Sequence, residues 1–416
     1  MQRRCSADLR RLQRHNVSLP MPHVYCAGNI GRGFIAPLLS QAGYKVVFVD
    51  VDKAVIDGVN VAQSYRVHVL DTGEVEVVGP VTGVLATDTE ALIRELTHPS
   101  LRLVTTAVGL AALDRIAPAL ARGIHARREA GRSTFNIIAC ENAIAATAQL
   151  AEKVRARLDA PDTAYAAQHV GFANCSADRI VPPFDPTARG ASPLDVGVAA
   201  FFEWVVEAPA LKGTDAGALD VPVHGMHLVA DLGPYNERKL FTLNAGHAIA
   251  AYLGHRAGLR TVAAALADAR IEPIVRSALL DEVGPALCRK HGFDEVMHGE
   301  YVAATLARFA DTAVKDDVVR VARAPLRKLG RGDRLLGPVR MCVEYGIAVP
   351  HLAMGTAAAL WYDNPDDEQS VQMRGAIAEN GVDVYMAALT GLDEGGEAYR
   401  LILRAYAELQ GWRTEE

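Results

Sequence analysis

Cysteine and aromatic residues are the scarce components of this 416-residue chain, with six cysteines and 6% aromatics. The cysteines at positions 5, 26, 140, 175, 288 and 342 form no Cys-x-x-Cys pair and no regular spacing. That excludes a disulfide framework and predicts buried free thiols in a reducing compartment, notably Cys26, Cys140 and Cys175 in apolar or strand-like stretches. Zinc is left without ligands too. His224 and His227 stand three apart, but no cysteine or carboxylate set completes a tetrahedral site, so no metal is expected. Positive charge is not in excess: 43 Lys and Arg face 49 Asp and Glu, for a net charge of −6. Nucleic acid is therefore not the expected partner, and an anion would need a local basic cluster. No run is long or apolar enough to span a bilayer, and there are no repeats or low-complexity tracts. What is present is half hydrophobic and 22% charged, long enough for two domains with separate cores. A soluble cytoplasmic protein is the expectation.

Residues 1–20 carry Arg3, Arg4, Arg10, Arg11 and Arg14 without an apolar core, so they are not a secretory signal. A disordered basic extension ahead of Met21, or an upstream start codon, is expected, with an Arg-rich transit peptide as the alternative.

From Met21 to about residue 200 the pattern alternates strand and helix. Strands are predicted at 23–26, 45–49, 101–107 and 135–140, short and rich in valine or isoleucine as buried parallel strands are. A hairpin is predicted between Tyr65–Leu70 and Glu74–Gly79, with helices at 88–96, 110–122 and 142–158. At the front, His23-Val-Tyr-Cys-Ala27-Gly28-Asn29-Ile30-Gly31-Arg-Gly33-Phe34 runs from a strand through a glycine turn into a helix bearing Ile35, Leu38 and Leu39. A second strand ends at Asp50, 22 residues after Gly28. A dinucleotide site asks for this: glycines that let backbone approach a pyrophosphate, a helix N-terminus that supplies donors, and an acid for the ribose 2′-hydroxyl. Cys26 stands where the first glycine would be. Asp50 would repel a 2′-phosphate, so NAD is expected rather than NADP. Thr105, Thr106, Ala107 and Val108 follow a strand end, where such sheets place the nicotinamide half.

The Pro182–Pro186 stretch reads as a connection, and strand-like runs return at 201–207 and 226–230. After Pro234 long alanine- and leucine-rich helical patterns follow to 410. The expected fold is α/β: a Rossmann-type doubly wound sheet over 21–200 and a mainly helical substrate domain over 201–416.

The second domain contains Lys239-Leu-Phe-Thr-Leu-Asn244-Ala-Gly-His247, which sets an amine, an amide and an imidazole in one short segment. On an α-helix Asn244 lies about 140° around from Lys239, and His247 about 80°. That set suits alcohol oxidation without a metal: a lysine takes the hydroxyl proton, while amide and imidazole donors hold the oxygen that becomes a carbonyl. The bland alternative is an amphipathic helix with a surface lysine, a cap-like asparagine and a satisfied core histidine.

With these pieces the chain resembles the long-chain, zinc-independent polyol dehydrogenases, from about Met21 to its C-terminus. The motifs are Ala27–Phe34, Val104-Thr-Thr-Ala-Val-Gly109, Asn136-Ile-Ile-Ala-Cys-Glu-Asn142, Ala177-Asp-Arg-Ile-Val-Pro182 and Glu237–His247. Arg323-Ala-Pro-Leu-Arg-Lys-Leu329 and Gly332-Asp-Arg-Leu335 are similar to the branch that acts on mannitol 1-phosphate. Departures are Ala177 for a usual valine, Ala245 for a frequent threonine, and a longer stretch from Arg122 to Arg132. The resemblance implies NAD as cofactor, a monomer, and Lys239 as proton acceptor, with a pKa lowered by burial or a cationic neighbour. It further implies Asn244 and Asn142 as donors to the substrate oxygen, and His247 as hydroxyl ligand and orienter of the lysine. Asn142 could instead cap a helix. Asp178 would bind the polyol or tune Lys239, or else pair with Arg179. The run Arg320, Arg323, Arg327, Lys328, Arg331, Arg334 and Arg340 could grip a phosphomonoester, Arg323, Arg327, Lys328 and Arg334 foremost. Alternatively it is a solvated face paired with Asp316, Asp317 and Asp333. The expected reaction interconverts D-mannitol 1-phosphate and D-fructose 6-phosphate. The rivals are the same chemistry on a free polyol or sugar acid, of mannitol 2-dehydrogenase or hexuronate reductase type, and a nucleotide sensor without turnover.

Overall fold

The computed structural model describes residues 21–412, apart from 26, 183, 185–191, 214–221 and 313–315. The expectations for residues 1–20, for Cys26 and for most of the Pro182–Pro186 connection lie outside the described residues. Two compact units divide the chain, the first ending at Gly233 and the second beginning at Pro234. That division falls later than the expected 200/201. The strands beyond 200 pair with strands of the first unit, so they stay with it.

Six strands of the first unit form one parallel sheet in the order β5-β2-β1-β6-β7-β8. These are β1 (Met21–Tyr25), β2 (Val46–Asp50), β5 (Val81–Leu85), β6 (Leu101–Thr106), β7 (Phe135–Ala139) and β8 (Val170–Phe172). The interior strands read as continuous apolar runs because both faces are covered. Phe34, Leu38, Val46, Phe48, Leu103 and Ile138 pack on one face. Val49, Leu96, Val104, Ile124 and Ile137 pack on the other, as side chains alternate. Helices α1 (Ala36–Gln41), α2 (Lys53–Ala62), α3 (Thr89–Leu96), α4 (Leu113–Glu129), α5 (Ala146–Arg155) and α6 (Ala160–His169) accompany it. Asp52, Asp88 and Asp159 cap α2, α3 and α6 by accepting from first-turn N–H groups.

The predicted hairpin is present as β3 (Tyr65–Val69) and β4 (Val75–Val78), antiparallel. Strand β10 (Val196–Val198) adds to it in parallel, and β9 (Cys175–Arg179), β11 (Phe202–Glu207) and β12 (Met226–Val229) make a further small sheet.

The second unit is helical. Helix α7 (Gly233–Arg238) passes into a π-helical turn, Lys239–Asn244, and then α8 (Ala245–Arg256). Helices α9 (Val262–Ala267) and α10 (Ile271–Ser277) follow, then a second π-turn, Ala278–Val283, and α11 (Gly284–His291). The rest are α12 (Glu295–Ala310), α13 (Val318–Ala322), α14 (Pro325–Lys328), α15 (Leu336–Glu344), α16 (Pro350–Leu360), α17 (Glu368–Asn380), α18 (Val382–Thr390) and α19 (Glu397–Leu409). Helices α8 and α16 are buried nearly all round and form the centre of one core. A Cβ on Gly355 would lie 2.4 Å from Ile249 Cγ1, so glycine sets their closest approach. Among the described residues no helix is long and apolar enough to cross a membrane. Cys140, Cys175, Cys288 and Cys342 are buried free thiols.

Candidate functional site

In the first unit, β1 lies between β2 and β6, so the strand order reverses beside it. The crevice at the strands' carboxyl ends there is where doubly wound sheets take ligands. Tyr25 is level with both Val49 and Thr106, which aligns those ends. Asp50 ties them together: Oδ2 accepts from Ala27 N at 2.7 Å and Oδ1 from Asp52 N at 3.0 Å. The turn Ala27–Ile30 leads into a π-helical turn, Gly31–Ile35, with Asn29 exposed. A Cβ on Gly33 would meet Val181 Cγ1 at 2.8 Å and Val198 Cγ1 at 2.9 Å. Glycine at this position, two residues beyond the fingerprint's last glycine at Gly31, therefore lets the helical turn pack closely on Val181 and on Val198 of β10. The glycine turn at the strand ends, with an acid at the end of β2, is an arrangement that fits a dinucleotide. Arg32, inside the motif, turns away and donates to Leu194 O at 2.7 Å.

Thr105 and Thr106 are buried at the end of β6, and Ala107 and Val108 are half-buried beyond it. This stretch is held by Glu141, which was not singled out from the sequence although it stands in the Cys-Glu-Asn motif. Glu141 Oε1 accepts from Thr106 Oγ1 at 2.7 Å and Val108 N at 3.0 Å, and Oε2 from Gly109 N at 2.8 Å. Asn142, next along, is exposed. It is not a helix cap. The expected helix from 142 starts only at Ala146, and its N-cap position is Ala145, held at φ 54°. Asp178 is buried on β9, level with Glu203. Its neighbour Arg179 instead donates to Ala199 O and Gly33 O and lies over the Phe202 ring, because successive strand residues face opposite ways.

In the second unit Lys239 opens the π-turn and Asn244 closes it. Ala245 N bonds to Leu240 O, five residues back. The wider turn narrows the angle between Lys239 and Asn244 from the roughly 140° that α geometry would set. Lys239, Leu240, Asn244 and His247 are half-buried, whereas Phe241, Thr242, Leu243, Ala245 and Gly246 are buried. His247 Nε2 lies 2.6 Å from Asp316 Oδ2, and its ring stacks on Phe309 at 5.1 Å and 12°. Asp316 also pairs with Arg320. Burial pushes the Asp316 carboxyl up, but the bonds and charges of His247 and Arg320 outweigh it and hold it below its ordinary value. Sixty-nine residues separate Asp316 from His247, and no sequence pattern linked them.

The residues just before Lys239 are anchored on both sides. The Arg238 guanidinium lies over Tyr235, Phe293 and Tyr301, at 5.0, 5.1 and 4.5 Å. Glu237 bonds Lys290 at 2.8 Å and His291 at 2.5 Å.

The basic run splits. Arg320 belongs to the His247–Asp316 network, and Asp317 caps α13. Arg323 donates to Arg320 O, and Arg334 pairs with Asp333 at 2.8 Å. Lys328 is buried, donates to Arg323 O and lies 5.9 Å over the Tyr252 ring. Burial, with the charges of Arg327 and Arg334 adding to it, draws Lys328 down to about 7. Arg331 and Arg340 instead line a cavity of about 500 Å³ with Glu237, Phe241, Lys290 and Asp393.

A dinucleotide-type parallel sheet followed by a helical unit is the architecture of a nicotinamide-dependent oxidoreductase. The chain belongs to the mannitol dehydrogenase family, the NAD-dependent polyol dehydrogenases. Residues 24–217 match its Rossmann domain and residues 231–403 its C-terminal domain. Two solved structures share the fold. One is a D-sorbitol dehydrogenase in substrate-free form, 19% identical, with TM-score 0.75 over 94% of this chain and 93% of that one. The other is the Pseudomonas fluorescens mannitol 2-dehydrogenase in a ternary complex with NAD and D-mannitol. It is 20% identical, with TM-score 0.67 over 95% of this chain and 92% of that one.

Proposed function

We propose that the protein interconverts D-mannitol 1-phosphate and D-fructose 6-phosphate, using NAD. The bound nucleotide would supply the hydride acceptor at its nicotinamide ring. In the oxidation direction Lys239 Nζ takes the substrate hydroxyl proton, and returns it in reduction. Asn244 and Asn142 donate to the oxygen as charge builds on it. His247, oriented by Asp316, holds a substrate hydroxyl. Asp178 is assigned to the polyol side. What supports the phosphate is the run Arg323, Arg327, Lys328 and Arg334 in an acidic protein, with Lys328 buried at the end of α14 and the charges of Arg327 and Arg334 adding to the burial that draws it down. A dianionic phosphate there would relieve their mutual repulsion, with Arg323 at the rim. One observation favours the second reading, a free polyol or sugar acid: Arg320 and Arg334 already have aspartate partners, and Lys328 a backbone carbonyl.

Lys239→Ala tests the chemical assignment. Turnover should fall by about two orders of magnitude or more, in keeping with loss of a general base, while the dissociation constant of NAD scarcely moves. Near-normal turnover in the folded variant would remove Lys239 from the reaction.

A further inference from the structure

Glu141 is 7% exposed, and its two oxygens accept three hydrogen bonds. An acceptor-only carboxyl of this kind is the ionised form. Among the described residues Glu141 makes no ion pair, and its partners there are these three donors. Gly109, at φ +87°, turns its N–H onto Oε2. The same carboxylate thus fixes the path of Thr106, Ala107, Val108 and Gly109 and sets a negative charge against it.

We propose that Glu141 is a cofactor-positioning residue that also sets redox preference, its charge favouring the oxidised dinucleotide over the reduced one. This rests on the reading that Ala107 and Val108 lie beside the nicotinamide. The oxidised ring carries a positive charge and the reduced ring is neutral, so a fixed anion nearby in a poorly hydrated place attracts only the first. The three bonds at Glu141 hold the loop for both forms, whereas its charge discriminates between them.

The test is equilibrium titration of the full chain with NAD and with NADH, comparing wild type, Glu141→Gln, Glu141→Asp and Thr106→Val. Glu141→Gln should raise the ratio of the NAD to the NADH dissociation constant on the order of tenfold. Glu141→Asp and Thr106→Val each keep the charge but weaken the clamp. Both constants should rise there while the ratio holds within about twofold. An unchanged ratio in Glu141→Gln overturns the proposal, as does a shift in either charge-keeping variant as large as that expected of the glutamine. Wild-type protein that binds neither nucleotide overturns both this proposal and the nucleotide reading beneath it.

Discussion

Asp316 Oδ2 sits 2.6 Å from His247 Nε2, with Arg320 on the same carboxylate. It is therefore the side chain that chooses which way the imidazole faces. Asp316→Asn removes that choice, and turnover should drop by up to about four orders of magnitude, the loss that follows removal of an orienting carboxylate. A stability effect should accompany it. Because the folded-state value is depressed, the carboxylate stabilises the fold above its unfolded value, and this contribution is lost as pH falls through the folded one. In urea unfolding, the gap between wild type and Asp316→Asn should be full near neutrality and close below about pH 4. A gap that widens in acid would contradict the pairing. Lys239, Asn244 and His247 could be proposed from the sequence because three chemically apt side chains share one short segment. Asp316 and Glu141 could not, since each acts on residues brought to it by tertiary folding.

At the scale of elements, the glycine turn, the acid at the end of β2 and the apolar strands were readable because local sequence dictates each. The turn at Lys239–Asn244 was not. Nothing in Lys-Leu-Phe-Thr-Leu-Asn distinguishes π from α hydrogen bonding, and the anchoring of Glu237 and Arg238 comes from Lys290, His291, Phe293 and Tyr301, far along the chain. The start of α16 is another long-range construction: Glu282, in the second π-turn, accepts from His351 N at 2.7 Å and Leu352 N at 2.9 Å. Where α8 and α16 touch, Gly355→Ala adds a methyl 2.4 Å from Ile249 Cγ1. Helix propensity favours alanine by about 1 kcal/mol, but overpacking costs about 1–3 kcal/mol. The variant should therefore lower the midpoint of thermal unfolding. A rise would mean that α8 and α16 yield freely.

For the molecule as a whole, two units and their classes followed from the change of period near Pro234, where the second unit begins, whereas the 200/201 division cut off strands that belong to the first. The small sheet of β9, β11 and β12 carries the first unit to Gly233, and pairing partners distant in sequence cannot be read from periodicity. On the proposed reading the substrate is decided in the second unit by Arg327, Lys328 and Arg334, and that proposal is the account's central claim. Two charge-assisted contacts of roughly 1.5–3 kcal/mol each would separate a phosphorylated from a free sugar by a factor on the order of 10² to 10⁴. The most direct measurement follows NADH absorbance with fructose 6-phosphate and with fructose, side by side, across neutral to alkaline pH. The efficiency ratio should favour the phosphate by that factor near neutrality. It should shrink as pH climbs past about 7, where Lys328 gives up its proton while the phosphate is already dianionic. Equal efficiency with the two sugars at every pH would contradict the account and assign the protein to free polyols.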